Sequence, residues 1–154
     1  MASASDYRVR ELRISYHPVP SAGGSGPDAA RLALNTPRAA VALFTPRLQF
    51  ESVEVFEVAF LDTRHQLIAI QTVSRGDLSS TIVHPREVFK AALLANASGI
   101  VTAHNHPSGV PIPSADDLLL WQRLGHAGDL LGIDICDHLI IGDQTYWSHK
   151  ERTQ

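Results

Sequence analysis

The stretch His104-Asn-His-Pro-Ser-Gly-Val-Pro-Ile-Pro-Ser114 joins an apolar run to a helical one, and the rest of the chain is arranged around it. The preceding run, Gly99 to Ala103, is typical of a buried strand. The following run, from Asp117 to Leu124, favours a helix. His104 and His106 therefore lie where a strand ends in a loop. Because residues i and i+2 of an extended backbone point to the same side, the two imidazoles can bind one metal ion.

Asp117 can supply a third ligand. Three prolines and a glycine make the loop from Pro107 to Pro113 stiff and bent. Ser114 is then a good N-cap for the next helix, and Asp117 lies on the same side of that helix as Ser114. Two neutral imidazoles, one carboxylate and one position for water make a catalytic zinc site, so the sequence predicts Zn²⁺ at His104, His106 and Asp117. A simpler role for Asp117, interaction with the helix dipole, stays open.

Other classes of His-x-His metal site fit this sequence less well. The metallo-β-lactamase type needs Asp and His where this chain has Ser108 and Gly109. Amidohydrolase barrels need a chain of roughly 250 residues, whereas this chain has 154. The loop lacks the Glu of a cupin-type site. A zinc deaminase needs a Pro-Cys-x-x-Cys stretch, and this chain has a single cysteine.

The pattern that does fit is His-x-His, seven residues and then Ser-x-x-Asp, which resembles the JAMM (MPN+) metalloprotease motif. Three longer stretches, Ala103 to Gly109, His84 to Val88 and Asp137 to Gly142, resemble the RadC family of bacterial JAMM-domain proteins. The resemblance extends from about Glu51 to Ser148. It implies an α/β fold of the JAMM/MPN type, similar to cytidine deaminase, in which helices flank a mixed β-sheet.

A zinc-activated water also needs a general base, and three glutamates at the start of one predicted strand are candidates. Glu54 and Glu57 lie on opposite faces of that strand. Both faces are apolar, so periodicity does not choose between them, and Glu51 is a third candidate. The resemblance chooses Glu54, because the RadC pattern places its Glu eight residues before Asp62. It also implies that the Ser114 hydroxyl stabilises an oxyanion, while a purely capping role for Ser114 stays open.

Polar residues of the last long strand are expected to have structural roles. His138 alternates with Cys136 and is more typical of a core histidine with its hydrogen bonds satisfied than of a ligand. Asp137 is expected to make a hydrogen bond at the strand edge. Cys136 lies in an apolar run and is expected to be a small buried hydrophobe.

Periodicity and turn signals divide the chain into an N-terminal arm at 1–35, partly flexible, and a RadC-like JAMM/MPN domain at 36–154. A strand is predicted in the arm from Arg8 to Tyr16. In the helix from about 115 to 131, Leu118, Leu119, Trp121 and Leu124 have helical spacing. The remaining elements are helices from Thr36-Pro37 to Thr45-Pro46 and from Pro85 to about Ala95, and strands at 54–61, 67–73, 99–103, 133–141 and 146–148.

Composition limits the classes of partner. The net charge of −3 and the pI near 6.2 give no electrostatic footprint for nucleic acid. The single cysteine fits a reducing cytosol, and no apolar run is long enough to cross a bilayer. We therefore expect a cytoplasmic protein with no membrane partner.

Two functional hypotheses follow. The first is a zinc-dependent hydrolase of the JAMM class, a metallopeptidase or isopeptidase acting on a peptide or isopeptide. The second is a nucleic-acid or partner-binding module, because RadC proteins carry a DNA-repair label. RadC proteins commonly have an N-terminal helix-hairpin-helix region for which this chain is too short, and that gives DNA binding little support. An edge strand at Tyr146 to Ser148 could also pair with a second copy and form a homo-oligomer.

Overall fold

A computed structural model describes residues 10–18, 30–76 and 83–153 of the chain. The elements within these ranges are, in chain order, α1 (Pro37–Leu48), β1 (Val55–Leu61), β2 (Leu67–Arg75), α2 (Pro85–Leu94), β3 (Gly99–Asn105), α3 (Ala115–Leu131), β4 (Asp134–Ile141), β5 (Tyr146–Ser148) and α4 (His149–Arg152). The predicted α/β architecture, a mixed sheet with flanking helices, is confirmed. None of the helices in this part of the chain has the length and apolar character needed to span a bilayer.

The sheet has the strand order β2-β1-β3-β4-β5. β3 and β4 are parallel and are joined by α3, whereas the other neighbouring pairs are antiparallel. Because β1 is antiparallel to β3, the first residues of β1 lie beside the last residues of β3, at one end of these two strands. Phe56 is paired with His104 there. The loop after β3 leads to the start of α3 at the same end. The start of β1, the end of β3 and the start of α3 therefore meet there.

Helices cover both faces of the sheet. On one face, α1 packs against the strands through Ala40, Phe44 and Leu48. On the other face, α2 contributes Val88 and Phe89, and α3 contributes Leu124. Every residue of β1 and β3 is consequently buried, polar residues included.

The predicted end of the first helix at Thr45-Pro46 is wrong. α1 continues to Leu48 with Pro46 inside it, and the N–H of Gln49 still donates to the carbonyl of Thr45 at 3.0 Å. Proline removes one hydrogen bond and restricts the residue before it. Phe44 and Leu48 are fully buried against the sheet, however. This packing stabilises the last turn more than the proline destabilises it.

The predicted arm strand is also wrong over the residues that the structure describes. Residues 10–16 form no strand, and the Leu12, Ile14 and Tyr16 side chains are exposed. Backbone pairing occurs later, where Ala33 forms an isolated antiparallel bridge with Gln66. Residues 1–9 and 19–29 of the arm lie outside the described part of the chain.

The buried face of α3 and the burial of Cys136 differ from what the sequence pattern suggests. Leu118 and Leu119 are 53% and 55% exposed, because the buried stripe of α3 starts at Asp117 and continues through Trp121 and Leu124. Helical spacing alone does not show that a carboxylate occupies the inward position of the first turn. Cys136 is half-buried rather than buried.

Candidate metal centre

His104 and His106 point to the same side of the end of β3, as their spacing predicts. Their Nε2 atoms are 3.1 Å apart. His104 belongs to the strand and is almost fully buried, whereas His106 lies one residue beyond the strand. The main chain of His106 is held by a bond from its N–H to the carbonyl of Ile141 at 3.1 Å. The neighbouring parallel strand therefore fixes the second histidine after the ladder of β3 has ended.

Asp117 reaches the two histidines from the first turn of α3. Ser114 is the N-cap, and its side chain accepts the N–H of Asp117 at 3.1 Å. The Asp117 carboxylate binds back to the Ser114 N–H at 2.7 Å and to its hydroxyl at 2.8 Å. This capping box fixes the carboxylate with Oδ1 at 3.1 Å from Nε2 of His104 and Oδ2 at 3.4 Å from Nε2 of His106.

The three side chains are close enough together to bind one metal ion. Donor atoms at tetrahedral vertices around a metal with bonds of about 2.0–2.1 Å are about 3.3 Å apart. The two Nε2 atoms are 3.1 Å apart, while Oδ1 of Asp117 is 3.1 Å from His104 and Oδ2 is 3.4 Å from His106. One ligand atom from each residue lies within 4.8 Å of the others, so a single ion can bind all three after small side-chain movements. This donor set, two imidazoles and a carboxylate, leaves a fourth vertex open.

The tautomer of His106 also suits metal binding. Its Nδ1 is 2.8 Å from the carbonyl oxygen of Val110. A carbonyl only accepts, so Nδ1 carries a proton and Nε2 is the ring nitrogen that is available to a metal ion. A hydrogen bond of this kind on the far nitrogen is the usual support of a metal-bound imidazole. The proline-rich loop therefore leads to α3 and also orients the His106 ring.

Electrostatic shifts at the site follow from burial and from Asp117. Burial raises the pKa of Asp117, but hydrogen bonds from His104 and His106 outweigh it and hold that pKa well below its usual range. Burial lowers the pKa of His104. Hydrogen bonding to Asp117 raises the pKa of His106. Asp117 is therefore an anion at neutral pH, as a metal ligand must be.

Of the three candidate glutamates, Glu54 is the one that lies beside His104. It precedes β1 directly, is 9% exposed, and has Oε1 at 3.8 Å from Nε2 of His104. Burial, and then the charge of Asp117, raise the pKa of Glu54 to about 7. A carboxyl group with such a pKa can both accept and donate a proton near neutral pH.

The other two glutamates are held elsewhere. Glu57 lies on the opposite face of β1, where Arg47 of α1 binds both of its carboxylate oxygens at 2.7 Å. The Thr72 hydroxyl donates a third bond to it at 3.0 Å. Glu51 is bound by the guanidinium of Arg75. The base role of Glu54 stays a prediction, but Glu57 points away from the metal ligands.

Sequence reasoning missed two supports of the site. The Asn105 side chain binds the main chain on both sides of Glu54. Gly142 lies against the metal-site loop so closely that a Cβ there would be 2.5 Å from the carbonyl oxygen of Gly109. Both residues belong to the stretches that resemble RadC, but their physical roles depend on contacts between distant segments.

Behind the ligands, His138 is the core histidine that its position on β4 predicts. Its Nδ1 is 2.6 Å from the Thr102 hydroxyl, and its ring stacks on Trp121 with centroids 4.9 Å apart. Asp137 binds the Ser148 hydroxyl at 2.7 Å and the N–H of Lys150 at 3.0 Å. These contacts attach β5 and α4 to the sheet.

Comparison with known proteins gives a consistent family. Residues 34–154 match the family model described as the RadC-like JAB domain. Two relatives named UPF0758 proteins are each 47% identical to this chain. The one from Alkaliphilus metalliredigens aligns over 72% of this chain and 48% of its own length. The one from Methanosarcina acetivorans aligns over 75% of this chain and 51% of its own length. A UPF0758 protein of Listeria monocytogenes serotype 4b is 47% identical over 81% of this chain and 56% of its own. The chain thus spans about half the length of the curated relatives that it matches.

Proposed function

The chain belongs to the RadC-like JAB domain family, and on that premise we propose that it is a zinc-dependent hydrolase that cleaves an amide bond in a peptide or isopeptide. The observation that carries the proposal is the meeting of His104, His106 and Asp117, which have one ligand atom each within 4.8 Å of the others. A buried glutamate of raised pKa lies beside them. We place the activity in the reducing cytoplasm, which the single cysteine favours.

Zn²⁺ at these ligands would act as a Lewis acid that polarises a carbonyl group and lowers the pKa of water towards 7. His104 and His106 would present neutral Nε2 atoms to it, and Asp117 would contribute the negative charge. In this proposal the Glu54 carboxylate takes a proton from the attacking water and then gives it to the leaving amine. Burial, which raises the pKa of Glu54, favours both transfers near neutral pH.

Ser114 would donate a hydrogen bond from its hydroxyl to the oxyanion of the tetrahedral intermediate. The same hydroxyl is 2.8 Å from Oδ2 of Asp117 in the structure, and it has one proton to donate. The main-chain N–H of Ser114 binds that oxygen as well, at 2.7 Å. The hydroxyl can therefore turn to the substrate while the capping bond from the N–H keeps Asp117 in place.

Metal content is the first test. We expect elemental analysis of the purified protein, supplied with zinc, to give about one zinc per chain. Asp117→Ala removes a ligand and is expected to lose the metal. Asp116→Ala is the matched control, because Asp116 is the exposed neighbour in the same helical turn and its removal leaves all three ligands. Wild-type protein that takes up no metal would exclude the hydrolase proposal.

The role of Glu54 is tested on zinc-loaded protein with a panel of peptide and isopeptide substrates. We expect Glu54→Gln to keep its zinc and to lower kcat by about a hundredfold or more, because the substitution removes the proton acceptor. Glu51→Gln is the control, since Glu51 is bound to Arg75. Hydrolysis at the wild-type rate by zinc-loaded Glu54→Gln would show that another group is the base.

A further inference from the structure

Asn105 is the middle residue of the His-x-His stretch, and its side chain is bound to the segment that carries Glu54. Its Oδ1 accepts the N–H of Val55 at 2.7 Å. Its Nδ2 donates to the carbonyl of Val53 at 3.0 Å and to that of Glu51 at 3.3 Å. The side chain is buried, with 2% of the residue exposed. The amide thus uses its acceptor and its donors on the short stretch of chain that leads into β1.

These bonds replace a missing part of the sheet. The main-chain pairing between β1 and β3 begins at Phe56 and His104. Before that point the main chain of residues 51–55 is bound to β3 through the Asn105 side chain. On the other side of this segment, the N–H of Gly76 donates to the Glu54 carbonyl at 3.0 Å. Glu54 is therefore held between its two neighbouring strands, with Asn105 making the contact on the metal-ligand side.

We propose that Asn105 is a positioning residue that fixes Glu54 relative to the metal ligands. The residue lies between His104 and His106 in the chain. The two histidines and the hydrogen bonds to the Glu54 segment therefore come from the same three residues of main chain. Any displacement of that stretch would move both together. For its catalytic consequence the inference rests on the proposed hydrolase function, but the geometric part can be measured without any substrate.

Two substitutions separate the bonds. Asn105→Ala removes all three hydrogen bonds, and Asn105→Asp keeps the acceptor for the Val55 N–H while it places a carboxylate against two carbonyl oxygens. Ser148→Ala is the matched control. Ser148 is also buried, and its hydroxyl binds Asp137 rather than any residue of β1. It reports the general effect of losing a buried hydrogen bond.

The direct readouts are amide hydrogen exchange at Val55 and a crystal structure of each zinc-loaded variant. We expect exchange at Val55 to become about tenfold or more faster in Asn105→Ala, and Glu54 to move away from the ligands or to take several conformers. In Asn105→Asp we expect Val55 to stay better protected than in Asn105→Ala. The amide of Ala59, in the middle of β1, serves as internal reference. All variants are expected to keep about one zinc per chain.

Kinetics then separate positioning from a general loss of stability. Once a substrate is known, we expect both Asn105 variants to have a lower kcat with KM unchanged, because the base is displaced while the metal and the substrate surface remain. Ser148→Ala is expected to leave kcat and Val55 exchange at wild-type values. Unchanged Val55 exchange and an unmoved Glu54 in Asn105→Ala would overturn the inference, as would loss of zinc in that variant.

Failure of this inference differs from failure of the proposed function. If the wild-type protein hydrolyses nothing, exchange at Val55 and the position of Glu54 still decide the role of Asn105. If the wild type is active and Asn105→Ala keeps its kcat, the hydrolase proposal stands and positioning by Asn105 is wrong. If Asn105→Ala does not fold, amide exchange in Asn105→Asp and in the wild type still tests the inference. In the wild type, the amide of Val55 must then exchange as slowly as that of Ala59.

Discussion

Acid is expected to destabilise this protein through His138, the buried histidine behind the metal site. The residue is 4% exposed, and the Thr102 hydroxyl and the Trp121 ring occupy its surroundings. Burial first, and then the charges of His149 and His104, lower the pKa of His138 to about 3. The folded protein therefore keeps this ring neutral over most of the acidic range.

The direction of the effect follows from proton linkage. In the unfolded chain His138 has an ordinary pKa of about 6.5, so between pH 6.5 and 3 the unfolded state binds a proton that the folded state does not. This part of the stability is fully present above pH 6.5 and is lost as the pH falls towards 3. At ~1.4 kcal/mol per pKa unit, the loss over the whole window is on the order of 5 kcal/mol. That is a large share of the ~5–15 kcal/mol that stabilises a typical domain.

The assay is urea denaturation between pH 7.5 and pH 4, in the presence of a chelator, on the wild type and on a His138→Phe/Thr102→Val double variant. Phenylalanine keeps a ring against Trp121, and valine avoids leaving a buried hydroxyl without a partner. We expect the free energy of unfolding to fall more steeply with acid in the wild type, by about 3 kcal/mol at pH 4. His126→Gln, which removes an exposed histidine, should keep the wild-type slope. Parallel slopes for the wild type and the double variant would refute the reasoning.

Two further predictions concern the surroundings of the site. Glu57→Gln leaves Arg47 without its carboxylate in a mostly buried pair and is expected to cost about 3 kcal/mol in urea denaturation. Zinc content and kcat should not change, and a folded, zinc-loaded but inactive Glu57→Gln would contradict the orientation argued above. Gly142→Ala would bring a Cβ to 2.5 Å from the carbonyl oxygen of Gly109 and displace the loop that orients His106. We expect about ten- to a hundredfold weaker zinc binding in competition with a chromophoric chelator, and wild-type affinity would count against loop support.

The meeting of His104, His106 and Asp117 could be predicted from sequence because local rules determine their placement. His104 and His106 are two residues apart in extended chain, and Asp117 is three residues after its cap. Each relation holds within a few residues of one element. The loop between His106 and Ser114 is short, so the two local arrangements have few ways to meet. The mixed sheet could be predicted for a similar reason, since hairpin and crossover signals lie next to each other in the chain.

Which of Glu54 and Glu57 faces the histidines could not be predicted in this way, because the difference between them is not local. β1 is buried on both faces, so each glutamate follows an apolar pattern and periodicity gives them equal weight. What separates them is Arg47, which binds Glu57 from the last turn of α1. Local rules end that helix at Pro46 and leave Arg47 outside it, whereas packing of Leu48 on the sheet extends the helix and brings the guanidinium to Glu57. An error of two residues in the end of a neighbouring helix therefore hides Arg47, the partner that shows which carboxylate is free to face His104.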